Sequence, residues 1–571
     1  MVFVKVTKNR EGTHYVTIVE GYRDGDKVRH RTIESLGKLD VLEQGDPNFL
    51  INLKVALKEG RYSVAKEAIN LKLDLNKKIG NPLKNYGWQL LDKIYQELEV
   101  SSVLADFKKT SKSQIDVNKV LRLMVFERLL NPSSKFKTFE NQSELYGNFE
   151  LNFQDIYRSL DVFDQLSDDI QKRVHASITK KIGRRGSLVF YDVTNYYFET
   201  DLDDTPSQNE LGEALPPFRK RGPSKEKRPN PIVQMGLFMD TNGIPIAYKL
   251  FPGNCVDVKT YLPAIAQVKE QFGIERLVVV ADKGMNSKDN IHNTLERNDG
   301  YLFSQKCRGT RGAPKDIQAF VLDDSDWRMN KAETFAMKSF IRKRLVNKVE
   351  ITEKVLATWN QKYDFREKIR RQKSVEYAQK LTAGERFRMT MKKGGKRYLD
   401  VETINQETGE LETLVPHILI DETQIKFDEQ FDGINVLITS EIEMSDSEML
   451  KNYQSLSKIE NCFRVLKTDF EARPIFVRTQ AHINAHFLIC FLSLIIMRVL
   501  EHQTDQMMSP SRLQEALNSA KCQELSQGYW EVFGNEDFIA LNKRLKIDWE
   551  KQYVPLEELR QFAKGLCIQQ K

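Results

Sequence analysis

Apolar and polar positions alternate in three short runs at the start of the chain: VFVKV at 2–6, HYVTIVEGYR at 14–23 and KVRHRTIESLG at 27–37. The last two flank Asp24-Gly25, and an Asp-Gly pair between alternating runs predicts a β-hairpin. From 51 to about 180 the period lengthens. YGWQLLDKIYQELEV and KVLRLMVFERLLNP carry apolar residues at helical spacing, and Pro132 stops the second. The pattern changes again at Gly183. SLVFYDVTNYYFET is apolar and rich in β-formers. PIVQMGLFMDTNG and IPIAYKLFPGN read as a hairpin through Thr241-Asn242-Gly243, 259–271 as a helix, and RLVVVADKG and YLFSQK as strands. Strand, hairpin, helix, strand is a mixed α/β plan with the sheet at its centre. From about 307 to 446 the chain is polar, with a charged stretch at 361–393 and strand candidates KRYLDVETI and GINVLITS. This predicts a separate, mostly β inserted domain. Residues 447–571 read as helical.

Length, charge and cysteines bound the picture. At 571 residues the chain is too long for one hydrophobic core. The expected organisation is a β-hairpin region (1–45), a mainly helical region (46–182), the first part of the sheet core (183–306), the insert (307–446), completion of the core (447–500) and a C-terminal helical region (501–571). A net charge of +7 permits nucleic-acid binding without establishing it, so local basic clusters matter more. Six scattered cysteines with no CxxC pair argue against a zinc site or disulfide framework and for a reducing interior. The N-terminus lacks a signal-peptide core. FLICFLSLIIMRVL, 487–500, is too short to span a bilayer and reads as a buried core helix. A cytoplasmic protein without a membrane partner is expected.

Candidate chemistry rests on three acids. Asp192 follows LVFY and Asp282 follows LVVVA. If those strands are neighbours, both carboxylates emerge at one sheet end, where ligands of open α/β sheets bind. A lone strand-terminal Asp is most often a turn former or helix cap, so the case requires a third acid. Glu460 supplies it. In KNYQSLSKIENCFRVLK, Tyr453, Glu460 and Lys467 lie seven residues apart, nearly on one helical face. They border an apolar arc of Leu456, Ile459, Phe463 and Leu466, which is also how an ordinary amphipathic helix looks. Three carboxylates suit Mg²⁺, a hard ion that prefers oxygen. Two such ions about 4 Å apart can activate an attacking oxygen and stabilise a leaving one in phosphodiester cleavage. His482 and His486 are spaced like a zinc pair but lack the glutamate of HExxH, and read as packing or phosphate-contacting residues. The stretch 218–231, FRKRGPSKEKRPNP, carries Arg219, Lys220, Arg221, Lys225 and Arg228. Its prolines and glycine predict a loop suited to DNA phosphates, or one that is merely soluble. MKKGGKR at 391–397 is a second basic candidate.

These segments, taken in order, resemble bacterial insertion-sequence transposases of the DDE class, in the cut-and-paste group with a Tyr-x2-Arg-x3-Glu-x6-Lys signature. Tyr453, Glu460 and Lys467 fall in register with it, while Leu456 stands at the arginine position; Lys458 or Arg464 is the candidate replacement charge. YDVTNYYFE (191–199) and VVVADKGMNSKDN (278–290) are similar to the first- and second-acid motifs. GLFMDTNGIPIAYKLFPGNCVDVKT, FDGINVLITS, EARPIFVRTQAHINAHFLICFLSL and the opening YVTIVEGYRDGDKVRHRTIESLG are similar to other elements of the group. The resemblance implies an RNase H-like (retroviral-integrase-like) α/β core with a mostly β insert and helical flanks. It implies Asp192, Asp282 and Glu460 as catalytic and metal-holding acids, with two Mg²⁺ for which Mn²⁺ can substitute. Tyr453 and Lys467 become contacts to phosphates near the cut, and Trp327 and Trp359 candidates to stack on a flipped base, or core residues. The implied partners are double-stranded DNA with terminal inverted repeats, target DNA and a second copy of the chain. The implied reaction is cleavage and strand transfer through a hairpin, in a nucleoid-associated protein. A catalytically inactive DNA-binding descendant and a structure-specific nuclease remain the alternatives.

Overall fold

The computed structural model describes all residues except 1, 10–11, 25–26, 46, 59–82, 148, 185–187, 209–213, 216, 227, 310–312, 383–398, 405–410, 526–527, 565, 567 and 569–571. The chain divides into two compact units, Met1–Ile79 with Leu525–Gln527, and Gly80–Glu524 with Gly528–Lys571.

In the first unit, β1 (Val2–Lys8), β2 (His14–Asp24) and β3 (Lys27–Lys38) form an antiparallel sheet, and Asp24 pairs with Lys27 where Asp-Gly predicts the turn. Alternation turns Val16 and Ile18 of β2 to one face, where they are buried with Leu53. Leu53 belongs to α2 (Phe49–Lys58), which follows α1 (Leu39–Gly45). The unit therefore reaches past residue 45, because the sheet needs this second helix to cover its apolar face.

After a short strand at Lys84–Asn85 the second unit continues with helices, as the spacing predicts; α3 (Val117–Leu130) is the most buried of those before the central sheet. The sheet begins with β4 (Leu188–Tyr197) and continues through β5 (Ile232–Met239) and β6 (Pro245–Pro252). After α4 (Asp257–Phe272) come β7 (Val278–Ala281), β8 (Gly300–Gln305), β9 (Arg328–Met329), β10 (Phe335–Val346) and β11 (Val349–Asn360). The charged α5 (Gln361–Thr382) leads on towards β12 (Ile434–Thr439). Nine strands make one mixed sheet in the order β9-β10-β11-β12-β8-β7-β4-β5-β6, with β7 parallel to both β4 and β8. Three further helices close the core: α6 (Asp446–Gln454), α7 (Leu456–Arg464) and α8 (Gln480–Gln503).

The strand pleat divides the core in two. Phe190 and Val280 face the cluster that holds α3, α7 and α8, whereas Val189, Tyr191, Val193 and Val279 face the cluster built on α4. Helix α8 has 24 residues, longer than the apolar run read from the sequence. It is long and apolar enough to cross a membrane, but 89% of its most apolar window is buried inside the fold. That burial matches the core helix expected.

Two expected regions take a different form. The 307–446 segment does not keep its strands to itself: β9, β10 and β11 extend the central sheet through β12, so GINVLITS is a core strand. Its other strand pair, Leu399–Ile404 with Leu411–Ile420, forms a two-stranded sheet. The basic stretch 391–397 lies outside the described residues. The C-terminal region is not purely helical either. Lys521–Glu524, Tyr529–Phe533 and Tyr553–Pro555 join Lys84–Asn85 in a four-stranded sheet, in runs too short for alternation to be read.

Candidate active site

Register brings the first two acids together. On the parallel pair β4 and β7, Phe190 lies opposite Val280, the last paired position. Asp192 and Asp282 each follow two residues later. They therefore leave the sheet at the same edge and share the face of Phe190 and Val280, on strands about 4.8 Å apart. Helix α7 packs on that face through Leu456, Ile459, Cys462 and Phe463, which leaves Glu460 exposed.

The helix bearing the third acid is segmented. A capping box, in which Ser445 and Glu448 exchange side-chain and backbone bonds, starts α6. The chain breaks at Ser455, runs through α7 and winds into a π-helical turn at Val465–Asp469. Tyr453, Glu460 and Lys467 thus stand on three successive segments rather than one straight stripe. The Tyr453 hydroxyl donates to Asp282 Oδ1 at 3.2 Å, and Lys467 Nζ donates to Thr194 Oγ1 at 2.7 Å, two residues past Asp192 on the same strand face. The phenol therefore meets the second acid and the ammonium stands beside the first.

Electrostatics mark the same meeting point. Burial pushes the Asp192 carboxyl up to about 6. Lys225 and the Val193 N–H, bonded to Asp192 Oδ1 at 2.7 Å, draw it down, while the negative charges of Asp282 and Glu460 push it up. Asp192 thus lies within the field of the other two acids. Burial also raises the Tyr453 phenol, a bond to Ser304 opposes this, and the Asp282 and Glu460 charges add to it, so the hydroxyl stays protonated. Lys467 is lowered to about 8 by burial and by Lys225, against the pull of Asp192. Among the described residues no group of three or more His, Cys, Asp and Glu is gathered closely enough to hold a metal ion. The donor set nonetheless fits Mg²⁺: it is all carboxylate, and a carboxyl raised by burial, and to a smaller extent by two neighbouring acids, is one that a cation would relieve.

The expected DNA contacts divide sharply. In the 218–231 loop, Arg219 is paired with Asp204 at 2.6 Å, Lys220 with Asp203 at 4.0 Å and Arg228 with Glu199 at 4.0 Å, while Arg221 donates to Asp201 O at 2.6 Å. The acids of 199–204 thus offset much of the loop's charge. Lys225 instead turns towards the site, its Nζ 2.7 Å from Val193 O. The loop packs tightly because Gly222 and Gly253 lack side chains: a Cβ on Gly222 would strike Gly253 O, and one on Gly253 the carbonyls of Lys220 and Ile232. Leu456, at the signature arginine position, is buried in the α7 face. Neither proposed replacement bonds to the acids: Lys458 Nζ donates to Thr241 O at 2.9 Å, and Arg464 pairs with Asp469 at 3.4 Å.

His482 and His486 form no zinc pair. His486 is buried, bonded to Lys135 Nζ at 2.9 Å and to Ala472 O at 3.0 Å, and His482 faces Asp161 at 3.3 Å. Trp327 and Trp359 are half-buried, Trp359 on β11 and Trp327 just before β9. Thr194, Glu226 and Arg473 were not singled out from the sequence. Arg473 and Lys467 both pair with Glu226, the latter at 3.6 Å. Alternation from Asp192 was a usable signal for Thr194; nothing local pointed to Glu226 with Arg473, which lie far apart in the chain.

A family model described as "Transposase DDE domain" matches residues 199–496, just over half the chain, and one described as "IS1634 family transposase, N-terminal domain" matches 3–63. The larger match includes Asp282 and Glu460 and begins seven residues after Asp192. No curated protein matches the chain. Among solved structures it is similar to a piggyBac transposase in a synaptic complex with hairpin DNA, with 10% identity, a TM-score of 0.36, and coverage of 85% of this chain and 84% of that one.

Proposed function

The chain belongs to the DDE-domain transposases, a family of DNA-cleaving and strand-transferring enzymes, and from that premise we propose that it cuts DNA at the ends of a mobile element and joins the freed 3′ ends to target DNA. The observation that carries this reading is geometric: Asp192 and Asp282 leave adjacent parallel strands at one edge, and the segment that carries Glu460 meets them there, with the Tyr453 hydroxyl bonded to Asp282 and Lys467 to Thr194 beside Asp192. We read the sheet around β4 and β7 as an RNase H-like core and the three acids as its catalytic set. Asp192, Asp282 and Glu460 would hold divalent metal, Mg²⁺ or Mn²⁺. Bound there, the metal would supply Lewis-acid activation of the attacking oxygen and charge stabilisation on the leaving one.

The chain's own residues do the positioning. Tyr453, held as a phenol, fixes Asp282 with its hydroxyl. Lys467 and Lys225 set positive charge beside Asp192, where a scissile phosphate would enter. Glu226 orients Lys467 together with Arg473. The cleaved end is proposed to attack the opposite strand, giving a hairpin that is opened before strand transfer. Two copies would act together, because both element ends must be joined. Regions 1–45 and 46–182 are proposed to grip the terminal inverted repeats and 501–571 to serve dimerisation. Such a protein works in the cytoplasm, at the nucleoid.

Purified protein, incubated with duplexes carrying the element's termini, is expected to nick at the end only when Mg²⁺ or Mn²⁺ is present, and then to join ends to target DNA. Metal-independent binding without any cut on true termini would leave only a DNA-binding descendant. Cutting without joining would leave a structure-specific nuclease. Lys467→Ala is expected to weaken end binding and to lower the slope of log K against log salt by about 0.9 at pH 7, the share of one phosphate contact. Because Lys467 titrates at about 8, the difference in slope between wild type and variant should shrink as the pH is raised past that value. Identical slopes at pH 7 would remove Lys467 from the phosphate path.

A further inference from the structure

The strap that follows the π turn, Phe470–Arg473, links two groups placed near Asp192: Lys467 in the turn, and Arg473, which meets it on Glu226. Ala472 stands between them. Its N–H donates to Leu466 O at 2.9 Å, next to Lys467, and its carbonyl leads directly into Arg473. Further on, the Ile475 N–H donates to Tyr197 O at 3.1 Å, on the strand that carries Asp192.

The strap is not relaxed. Glu471 takes a φ of +44°, in the left-handed region that favours glycine. Such a backbone persists where its surroundings over-determine it, and the two carbonyls that flank Glu471 are both gripped. Arg128 Nη1, on α3, donates to Phe470 O at 3.2 Å. His486 Nε2, on α8, lies 3.0 Å from Ala472 O. Burial, with the positive charges of Lys135 and Arg128, holds His486 well below its ordinary value, so the ring is neutral and has a single proton. A carbonyl can only accept, so Nε2 carries that proton. Nδ1 is then an acceptor, and Lys135 Nζ donates to it at 2.9 Å, which fixes the ring from its other side.

Stability alone does not call for this set. Arg128, Lys135 and His486 are 5%, 7% and 4% exposed, and the bonds described end on carbonyl oxygens and an imidazole rather than on carboxylates. Burying cations on such partners costs more than apolar packing of the same volume would. The carbonyls they reach are those that set the backbone between Lys467 and Arg473.

We propose that Lys135 and His486 form a clasp which, with Arg128, positions Lys467 and Arg473 for the DNA phosphate at the cut. Buried themselves, the three act through the strap alone. The proposal rests on the DNA-cleaving reading above and adds positioning residues to it. Lys135→Met combined with His486→Leu removes both polar partners and refills their volume, a change close to neutral for folding. The test uses the full-length protein and duplexes carrying the terminal repeat. Two quantities are read at pH 7: the single-turnover rate of end cleavage with Mg²⁺ and, in EDTA, the slope of log K against log salt. The double variant is expected to melt no lower than wild type and to cut at least about tenfold more slowly, as a catalytic group set slightly out of place would. It should also lose about 0.9 from the slope, the share of the Lys467 phosphate contact. His486→Gln alone should rescue rate and slope, since its amide can donate to Ala472 O from the place of the imidazole Nε2. A double variant that folds yet matches wild type in both quantities, or a His486→Gln protein as slow as the double variant, overturns the clasp and leaves the transposase reading intact. If the double variant fails to fold, ¹⁵N spectra of histidine-labelled wild type decide together with His486→Gln. A proton on His486 Nδ1 in place of Nε2 overturns the clasp, and a proton on Nε2 with an active glutamine variant upholds it. A wild type that never cuts true termini overturns both readings.

Discussion

Asp282→Asn is expected to reduce end cleavage by at least about 10²–10³-fold, the scale on which loss of one transition-state-stabilising group is felt, while thermal stability and DNA affinity stay close to wild type. The side chain is exposed at the sheet edge, beyond the last paired residue of β7, and accepts a bond from Tyr453. An asparagine has the same shape, and its Oδ1 can accept the same hydroxyl. Nothing in the core is disturbed, and a surface change of this kind stays within about 0.5 kcal/mol. What is lost is one negative oxygen that a divalent cation would need. The measurement is a pair: cleavage of end duplexes with Mg²⁺, and a melting curve without it. A variant that still cuts at the wild-type rate would remove Asp282 from the catalytic set. One that melts far lower would make it a structural residue.

How far the sequence disclosed this site depended on what each residue does locally. The first two acids were legible because each ends an apolar run, and adjacent parallel pairing of β4 and β7 then aligned them. The third was legible as one of three residues on a helical border. The break at Ser455 and the π turn at Val465–Asp469 were not, because neither involves proline or glycine. The insert misled for another reason. Its β10–β11 hairpin turns at Asn347-Lys348, both at positive φ, where lysine is a weak turn signal. Its charges also point inward: Glu353 is fully buried, receiving Arg342 Nε at 2.9 Å, Arg344 Nη2 at 2.8 Å and the Tyr301 hydroxyl at 2.5 Å. A buried ion cluster looks in sequence like a solvated surface, so a core hairpin read as part of a separate domain. The basic loop failed in the opposite sense. Its charges were evident, but the acids of 199–204 that pair with them lie in a neighbouring stretch that nothing in local pattern linked to it.

Asp192→Asn separates stability from activity in the other direction. In the metal-free protein the Asp192 carboxyl titrates at about 6, above the ordinary 3.8, chiefly because it is buried and then because Asp282 and Glu460 repel its charge. A carboxyl whose folded value is raised favours folding only while it is protonated. Its contribution is fully present below about pH 4, falls as the pH rises through the window from 4 to 6, and is absent above. At pH 8 the wild-type fold therefore bears the full burden of a charge in that place, on the order of 1–3 kcal/mol. Asparagine keeps the Oδ1 that accepts the Val193 N–H and carries no charge. In EDTA the variant should melt above wild type at pH 8, and the gap should close as the pH is lowered towards 4. Mg²⁺ should raise the melting temperature of wild type at pH 8 and change that of the variant little, while end cleavage by the variant is lost. The combination is what a catalytic position predicts, since a residue placed for chemistry is held at the expense of the fold. A variant that melts below wild type at pH 8 would mean that the Asp192 charge is bound by partners within the fold and has no need of a cation.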